Sequence, residues 1–435
     1  VHIVVLIQDF PPETGAGPAR VIELAASWLE SGHAVSVLTG FPNRRIPGQQ
    51  DGVVPAPYRG RWSMRERWKG IEVHRTWLFT SPRRGFAPTL LNNLTFAGSS
   101  LVGGLGRSLR PDVLVASGPP YFSQFSGALL ARWHRVPLVL DVRDLWPDYL
   151  VEMGTVRARP LVGAMYASER WLLRRAKAVV VVTPSFRARL REKGVPDDAM
   201  TVVPNGVDVS RFYPADEPPP VAALMRRAPG ERIVGYLGTF GAGQGLHAVL
   251  DAARELRAAG DGTRVVLVGD GSDRAALERR LREAPLEGVS IHPPIPRDDV
   301  RAFYNACDAV LVPHAALPIL GDTVPSKIFE IMACGRPIVA ALRGEGARLV
   351  AESGDGELAT PGDGASIAGA IRRLLARSPA ERAAMGEAGR AYALANYDRR
   401  ALAARYLELL ERTVGERAGE RGSVSLRTPP TTGRG

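Results

Sequence analysis

A chain of 435 residues is too long for one hydrophobic core, and 45% hydrophobic against 23% charged residues is the balance of a globular protein, so two domains are the default. No stretch approaches the roughly 20 continuous apolar residues of a membrane span, and two cysteines, Cys307 and Cys334, exclude a disulfide framework and stand in no metal-ligand spacing. A net charge of +11 and a pI near 10.1 leave nucleic acid, an anionic membrane surface or anionic substrates as partners to be decided by the motifs.

The first forty residues read strand, glycine loop, helix, strand. VHIVVLI has the length of a buried strand, with no secretory leader pattern, so a cytoplasmic protein is expected. FPPETGAGPA is a turn-rich loop carrying Gly15 and Gly17. ARVIELAASWLESG puts apolar side chains at 21, 24, 25, 28 and 29, the spacing of one helical face, and Gly32 ends it before AVSVLT. YRGRWSMRERWKG (58–70) is the densest basic stretch, with Arg59, Arg61, Arg65, Arg67 and Lys69 between Trp62, Met64 and Trp68. It suits a lipid-headgroup surface, or stacking on a sugar or base, and equally a solvated loop over two packed tryptophans. No nucleic-acid fold signature accompanies it, so no nucleic acid is expected. DVLVAS (112–117), PLVLDV (137–142) and AVVVVT (178–183) are further parallel-type strands between helical stretches, the alternation of a doubly wound α/β sheet. VRDLWPD (142–148) follows a central strand and offers Arg143, Asp144 and Asp148 at its end.

The rhythm breaks in the proline-rich run 205–231 and restarts at RIVGYLG, which predicts an interdomain linker and a second Rossmann-like domain. The expected limits are 1–212 for the first domain, 213–231 for the linker and 232–398 for the second domain. A helix over 399–414 is expected to return and brace the first domain, and 415–435 has the composition of a disordered tail. Two such domains in tandem predict a cleft between the C-terminal edges of two sheets, so the loops after strands carry the chemistry.

In the second domain YLGTFGAGQGL (236–246) brings Gly238, Gly241, Gly243 and Gly245 to a strand end, where backbone amides can approach a phosphate, without the spacing of a P-loop. LVGDGSD adds Gly269, Asp270 and Gly271, with Asp270 placed either to face a ligand or to cap the next helix. HPPIPRDD (292–299) presents an extended backbone to which a base can hydrogen-bond. Each of these is structure as readily as site. GDTVPSKIFEIMACGRPIVA (321–340) predicts a short helix with Ser326, Lys327 and free amides at its start, an anion site, and Glu330 one turn in, placed for a ribose diol. An N-capped surface helix explains the same residues.

Taken together, FPPETGAGPAR, YRGR, VPLVLDVRDLWPD, VVPNGVD, YLGTFGAGQGL, LVGDG and VPSKIFEIMACGRPIVA, spread over about residues 1–400, resemble the retaining GT-B glycosyltransferases of group 1 (family 4 type). Within them the chain is most similar to the bacterial group typified by a colanic-acid fucosamine transferase. The resemblance implies two Rossmann-like domains, an acceptor-binding N-terminal domain, and a nucleotide-sugar donor, by family habit a UDP-sugar, as co-substrate with no other cofactor. In the family a pair of acidic residues stands eight positions apart; here these are Asp322, shorter than the usual glutamate and near the donor sugar, and Glu330 on the ribose. The backbone of Thr323, Val324, Pro325 and Ser326 would meet the diphosphate, and Ile295 the base. Thr239 and Gln244 stand where relatives often carry an arginine and a lysine, which makes Lys327 the replacement cation. Asp144 and Arg143 would face the acceptor and the reacting sugar.

The resemblance further implies a hexosyl or N-acetylaminosugar transfer, metal-independent in the absence of an Asp-x-Asp motif, to a lipid-linked glycan or a small molecule. A lipid-linked acceptor would put the protein at the inner face of an anionic membrane, with 58–70 in contact. Two alternatives stand beside this: a UDP-N-acetylglucosamine 2-epimerase on the same architecture, and a non-catalytic membrane- or nucleic-acid-binding protein suggested by the charge.

Overall fold

The computed structural model describes residues 1–46, 48–83, 85–106, 109–215, 224–228 and 230–425. The first sheet comprises β1 (His2–Leu6), β2 (Ala34–Gly40), β3 (Ser63–Trp68), β4 (Ile71–Thr76), β5 (Val113–Gly118), β6 (Leu138–Val142), β7 (Ala178–Val181) and β8 (Met200–Val202). Its order is β3-β4-β2-β1-β5-β6-β7-β8, parallel throughout except that β3 runs antiparallel to β4. The second sheet comprises β9 (Ile233–Leu237), β10 (Arg264–Val268), β11 (Val289–His292), β12 (Ala309–Pro313), β13 (Ile338–Ala341) and β14 (Gly356–Ala359), all parallel in the order β11-β10-β9-β12-β13-β14. Both are Rossmann-like α/β sheets, as the alternation predicts. Val- and Ile-rich strands form them because helices cover both faces, so alternate side chains all meet apolar neighbours.

The chain divides into two units, 1–203 with 400–435, and 204–399. The predicted boundary at 212 shifts to 203, because Val207 and Phe212 are buried in the core of the second unit. Of the predicted linker, Met225 is buried in that same core and Arg227 pairs with Asp308 at 3.2 Å, while 216–223 and 229 lie outside the described residues. The last helix, Arg399–Ser425, buries Leu402, Tyr406 and Leu410 against Ile3, Val5 and Trp28 of the first unit, and the Trp28 indole donates to Ala403 O at 3.2 Å. It runs past the predicted end at 414, so the tail is helical as far as Ser425; residues 426–435 lie outside the described residues.

The basic stretch is a hairpin rather than a loop. Ser63–Trp68 alternates exposed and half-buried positions and pairs along β4, with the reversal at Lys69 (φ 48) and Gly70 (φ 85). Its period of two, masked by charge, is that of an edge strand.

In each sheet the chain order reverses about one strand. In the first sheet β1 lies between β2 and β5, and in the second β9 lies between β10 and β12. Ligands of doubly wound sheets bind outside the strand ends at such points, where neighbouring loops diverge to opposite faces and leave a crevice.

Candidate functional site

In the second unit the crevice is bounded by the loops after β9 and β12 and by the helix Lys327–Ala333. That helix forms because Ile328, Phe329, Ile331 and Met332 all enter the core, and it ends at Gly335 (φ 63) before Pro337. Lys327 and Glu330, three residues apart, share one side of it. The Lys327 ammonium lies 4.1 Å from the Tyr236 ring centroid, and so close to Gly238 that a Cβ there would come within 2.5 Å of Nζ. Burial pushes the Lys327 pKa down to about 7, with Glu330 opposing the shift. His314, at the end of β12, is pushed down to about 4, by burial first and Lys327 second, and is neutral at physiological pH. Tyr236 donates its hydroxyl to Thr239 O at 2.7 Å and to Gln244 Oε1 at 3.3 Å, so these two residues shape the glycine loop through Tyr236.

Glu330, only 6% exposed, is held at both oxygens: Arg297 Nη2 donates to Oε1 at 2.5 Å and the Tyr304 hydroxyl to Oε2 at 3.4 Å. Arg297 in turn lies over the Phe212 ring at 4.9 Å. The residue expected to meet a ribose is thus preorganised by a cation that must share it. Ile295, two residues before Arg297, packs half-buried against the core.

The predicted amide cradle is narrower than 323–326. The Thr323 amide donates to Leu320 O at 3.3 Å, Pro325 has no N–H, and Ser326 occupies the N-cap without a side-chain capping bond. The amides of Val324 and Ser326 make none of the backbone bonds that tie down Thr323 and Ile328. Asp322 closes the turn Pro318–Asp322, half-buried, eight positions before Glu330. Gly269 (φ 155) and Gly271 (φ 159) are required for packing, because a Cβ on either would collide with the backbone of Gly238 or Phe240. Gly238 N–H donates to Val268 O at 3.0 Å and Phe240 N–H to Asp270 O at 2.8 Å, which zips the two loops together. Asp270 does not cap the next helix, whose N-cap is Asp273.

In the first unit the loop after β1 is tied by Glu13, which is buried and accepts the amides of Asn43 (2.8 Å), Arg44 (3.0 Å) and Phe10 (3.2 Å). Burial, then Asp9, pushes its carboxyl up to about 8 against those three amides. Gly15 (φ 141) precedes the helix Ala16–Glu30. A Cβ on Gly17 would stand 2.8 Å from Arg143 Nη1, so the glycine loop and the residue after β6 meet here. Beneath them Asp141 is buried between Arg143 Nε (3.8 Å) and Arg20 Nη2 (3.4 Å) and accepts from Ser117 Oγ at 2.8 Å. Burial lowers the Arg143 pKa while Asp141 and Asp144 raise it.

Asp144 opens to solvent at the rim of a shallow recess that Tyr121, Gln124, Trp146 and Glu169 also line. Desolvation by the protein packed around its carboxyl pushes the pKa up to about 6 against the pull of Arg143, which leaves it ionised at neutral pH. Asp148 is not part of that opening. It is buried against Lys193 and accepts from the Tyr166 hydroxyl at 3.3 Å, and Lys193 also binds Glu169 at 2.9 Å.

Sequence reasoning missed Arg297, Tyr304, His314, Glu13 and Asp141. Only Arg297 carried a signal, as the one cation in the loop opposite the Glu330 helix. The others read as core or turn until folding brings them together.

Two family models match the chain in succession: a glycosyl transferase 4-like domain over residues 15–206, and glycosyl transferases group 1 over 225–392. The chain is 30% identical over 258 residues to the 2-deoxystreptamine glucosyltransferase of Streptomyces kanamyceticus, a match spanning 58% of this chain and 64% of that relative. It is 27% identical to WcaI of Escherichia coli, named for colanic acid biosynthesis, over 75% of this chain and 80% of that one. Among solved structures, Anabaena HepE in complex with UDP-glucose shares the fold, with a TM-score of 0.69 at 20% identity, covering 94% of this chain and 99% of the other. With both halves of the chain matched in order, and with the two Rossmann-like units in place, this protein belongs to the group 1 glycosyltransferases.

Proposed function

We propose that the second unit binds the diphosphate and ribose of a UDP-sugar, and that the chain transfers the sugar with retention to a hydroxyl of a glycan or small-molecule acceptor held by the first unit. The observation that carries this is the convergence of the Lys327 ammonium, the Gly238 backbone and the buried Glu330 carboxylate at the switch point of the second sheet. The UDP-glucose complex of the HepE neighbour and the glucosyltransferase name of one relative are in line with such a donor.

In this reading the bond from the anomeric carbon to the diphosphate oxygen breaks as the acceptor oxygen bonds on the same face, and the acceptor proton passes to the departing phosphate oxygen. Lys327 and the amides of Val324 and Ser326 stabilise the growing negative charge. Asp322 orients the donor sugar, and Asp144 orients the acceptor. No step requires a metal or a protein nucleophile. An epimerase is not favoured, since both matched families are transferases.

The test is a thermal-shift panel of UDP- and GDP-sugars, N-acetylated amino sugars included, on the wild type and Glu330→Ala. A midpoint raised by one nucleotide series and lost in the variant supports the reading. No shift with any nucleotide sugar would sink it.

A further inference from the structure

The helix Phe86–Gly104 is inverted with respect to solvent. Its inward face is Asn92, Phe96, Ser100 and Gly104, with Asn92 donating to Phe79 O at 2.6 Å and Ser126 Oγ of the neighbouring helix Tyr121–His134 donating to Ala97 O at 2.6 Å. Its outward stripe is apolar at helical spacing: Leu91 and Leu94 are 44% and 45% exposed and Val102 is 72% exposed. No charged residue occurs in all 19 residues. The helix Tyr121–His134 continues the surface with exposed Leu129 and Trp133. On the other flank stands Trp62, 75% exposed, its ring 5.2 Å from Trp77, whose carbonyl accepts a hydrogen bond from Ser99 of the inverted helix. A soluble surface helix places these residue types the other way round.

The charge around this surface has one sign. Among the described residues from Val73 to Leu140 the exposed charges are Arg83, Arg110, Arg132 and Arg135 against a single carboxylate, Asp112, which accepts from the His2 amide at 2.7 Å. The strand register sets Ser63, Arg65 and Arg67 opposite Thr76, His74 and Glu72. Directly opposed residues share a face, and Thr76 is the one against which Ser99 and Gly103 of the inverted helix pack. The exposed arginines of the hairpin therefore rise from the same side of the sheet as the apolar stripe. The one carboxylate on that face of the hairpin, Glu72, is paired with His74 at 3.1 Å.

We propose that the outer face of Phe86–Gly104, with Leu129, Trp133 and Trp62 at its edges, lies in the interface of an anionic phospholipid bilayer, with the arginines of 59–67 on the headgroups. Apolar side chains enter the acyl boundary, tryptophans sit at headgroup level, and guanidiniums neutralise lipid phosphates. This is a surface contact, since no helix among the described residues is long and apolar enough to cross a membrane.

Co-sedimentation of the full chain with vesicles of phosphatidylcholine, with and without phosphatidylglycerol, tests it without donor or acceptor, so its failure leaves the transfer reading intact. The wild type is expected to pellet with the anionic vesicles and to be released by salt. Leu91→Glu/Val102→Glu is expected to weaken binding at least about tenfold, because each carboxylate opposes insertion. Arg61→Glu/Arg67→Glu weakens it and flattens the salt dependence. Circular-dichroism melting confirms that these exposed substitutions leave the fold intact, and brominated lipid should quench wild-type emission more than that of Trp62→Phe. A wild type that stays in the supernatant, or Glu variants that pellet equally, overturns the proposal. So does a wild-type dimer that Leu91→Glu/Val102→Glu dissociates without vesicle binding, which would assign the face to a second copy of the chain.

Discussion

If Lys327 holds the donor diphosphate as proposed, its pKa near 7 should make donor affinity depend on pH. The ammonium, not the amine, attracts the diphosphate, so binding raises its pKa and takes up a proton whenever the free protein has lost one. About half of the free protein carries the proton at pH 7.0 and roughly one part in thirty at pH 8.5. The dissociation constant of UDP-glucose should therefore rise about fifteenfold across that interval and level off below about pH 6.5. His314, at about 4, does not titrate there. Isothermal titration calorimetry in buffers of different ionisation enthalpy gives both the constant and the proton uptake. Lys327→Met should bind weakly and independently of pH. The sign for stability is opposite: the fold holds this proton less tightly than the unfolded chain does, so stability through this group rises between about pH 7 and 10.4. Ligand-free Lys327→Met should accordingly melt no lower than the wild type at pH 7. A constant that varies less than twofold between pH 7.0 and 8.5 without proton uptake, or the same slope in Lys327→Met, would refute the argument.

Three further outcomes are expected. Asp144, with its pKa raised to about 6, should give an acid limb in which kcat falls as pH drops through 6; Asp144→Asn should lose about a hundredfold in kcat together with that limb, as read from a pH–rate profile. Gly17→Ala puts a methyl 2.8 Å from Arg143 Nη1, so kcat should fall several-fold with little change in donor affinity, measured by initial rates and by UDP-glucose titration. Gly269→Ala combines a φ of 155° with a collision against Gly238 O, and should cost about 2–4 kcal/mol in chemical unfolding and weaken donor binding by disturbing the Gly238 loop.

The alternation of apolar strands with amphipathic stretches was enough, in the sequence, to specify two doubly wound sheets and to point to the loops after their strands. It did so because a parallel strand buried on both faces must be written as a continuous apolar run. PSKIFE was legible for the same local reason: Lys327 and Glu330 are separated by one helical turn, a distance that chain geometry sets. What folding alone decided is everything that joins residues far apart in the chain. Arg297 meets Glu330 across 33 positions, Gly17 meets Arg143, and Asp141 lies between Arg20 and Arg143. That the glycines at 269 and 271 also let the backbones of Gly238 and Phe240 approach was not legible, since a glycine admits the close approach of a phosphate and of a neighbouring peptide equally well. The inverted helix shows the same limit. Its nineteen residues read simply as uncharged until the register against Thr76 and the packing of Asn92 and Ser100 settle which face turns outward, because hydrophobicity is a property of the residue and exposure is a property of its neighbours.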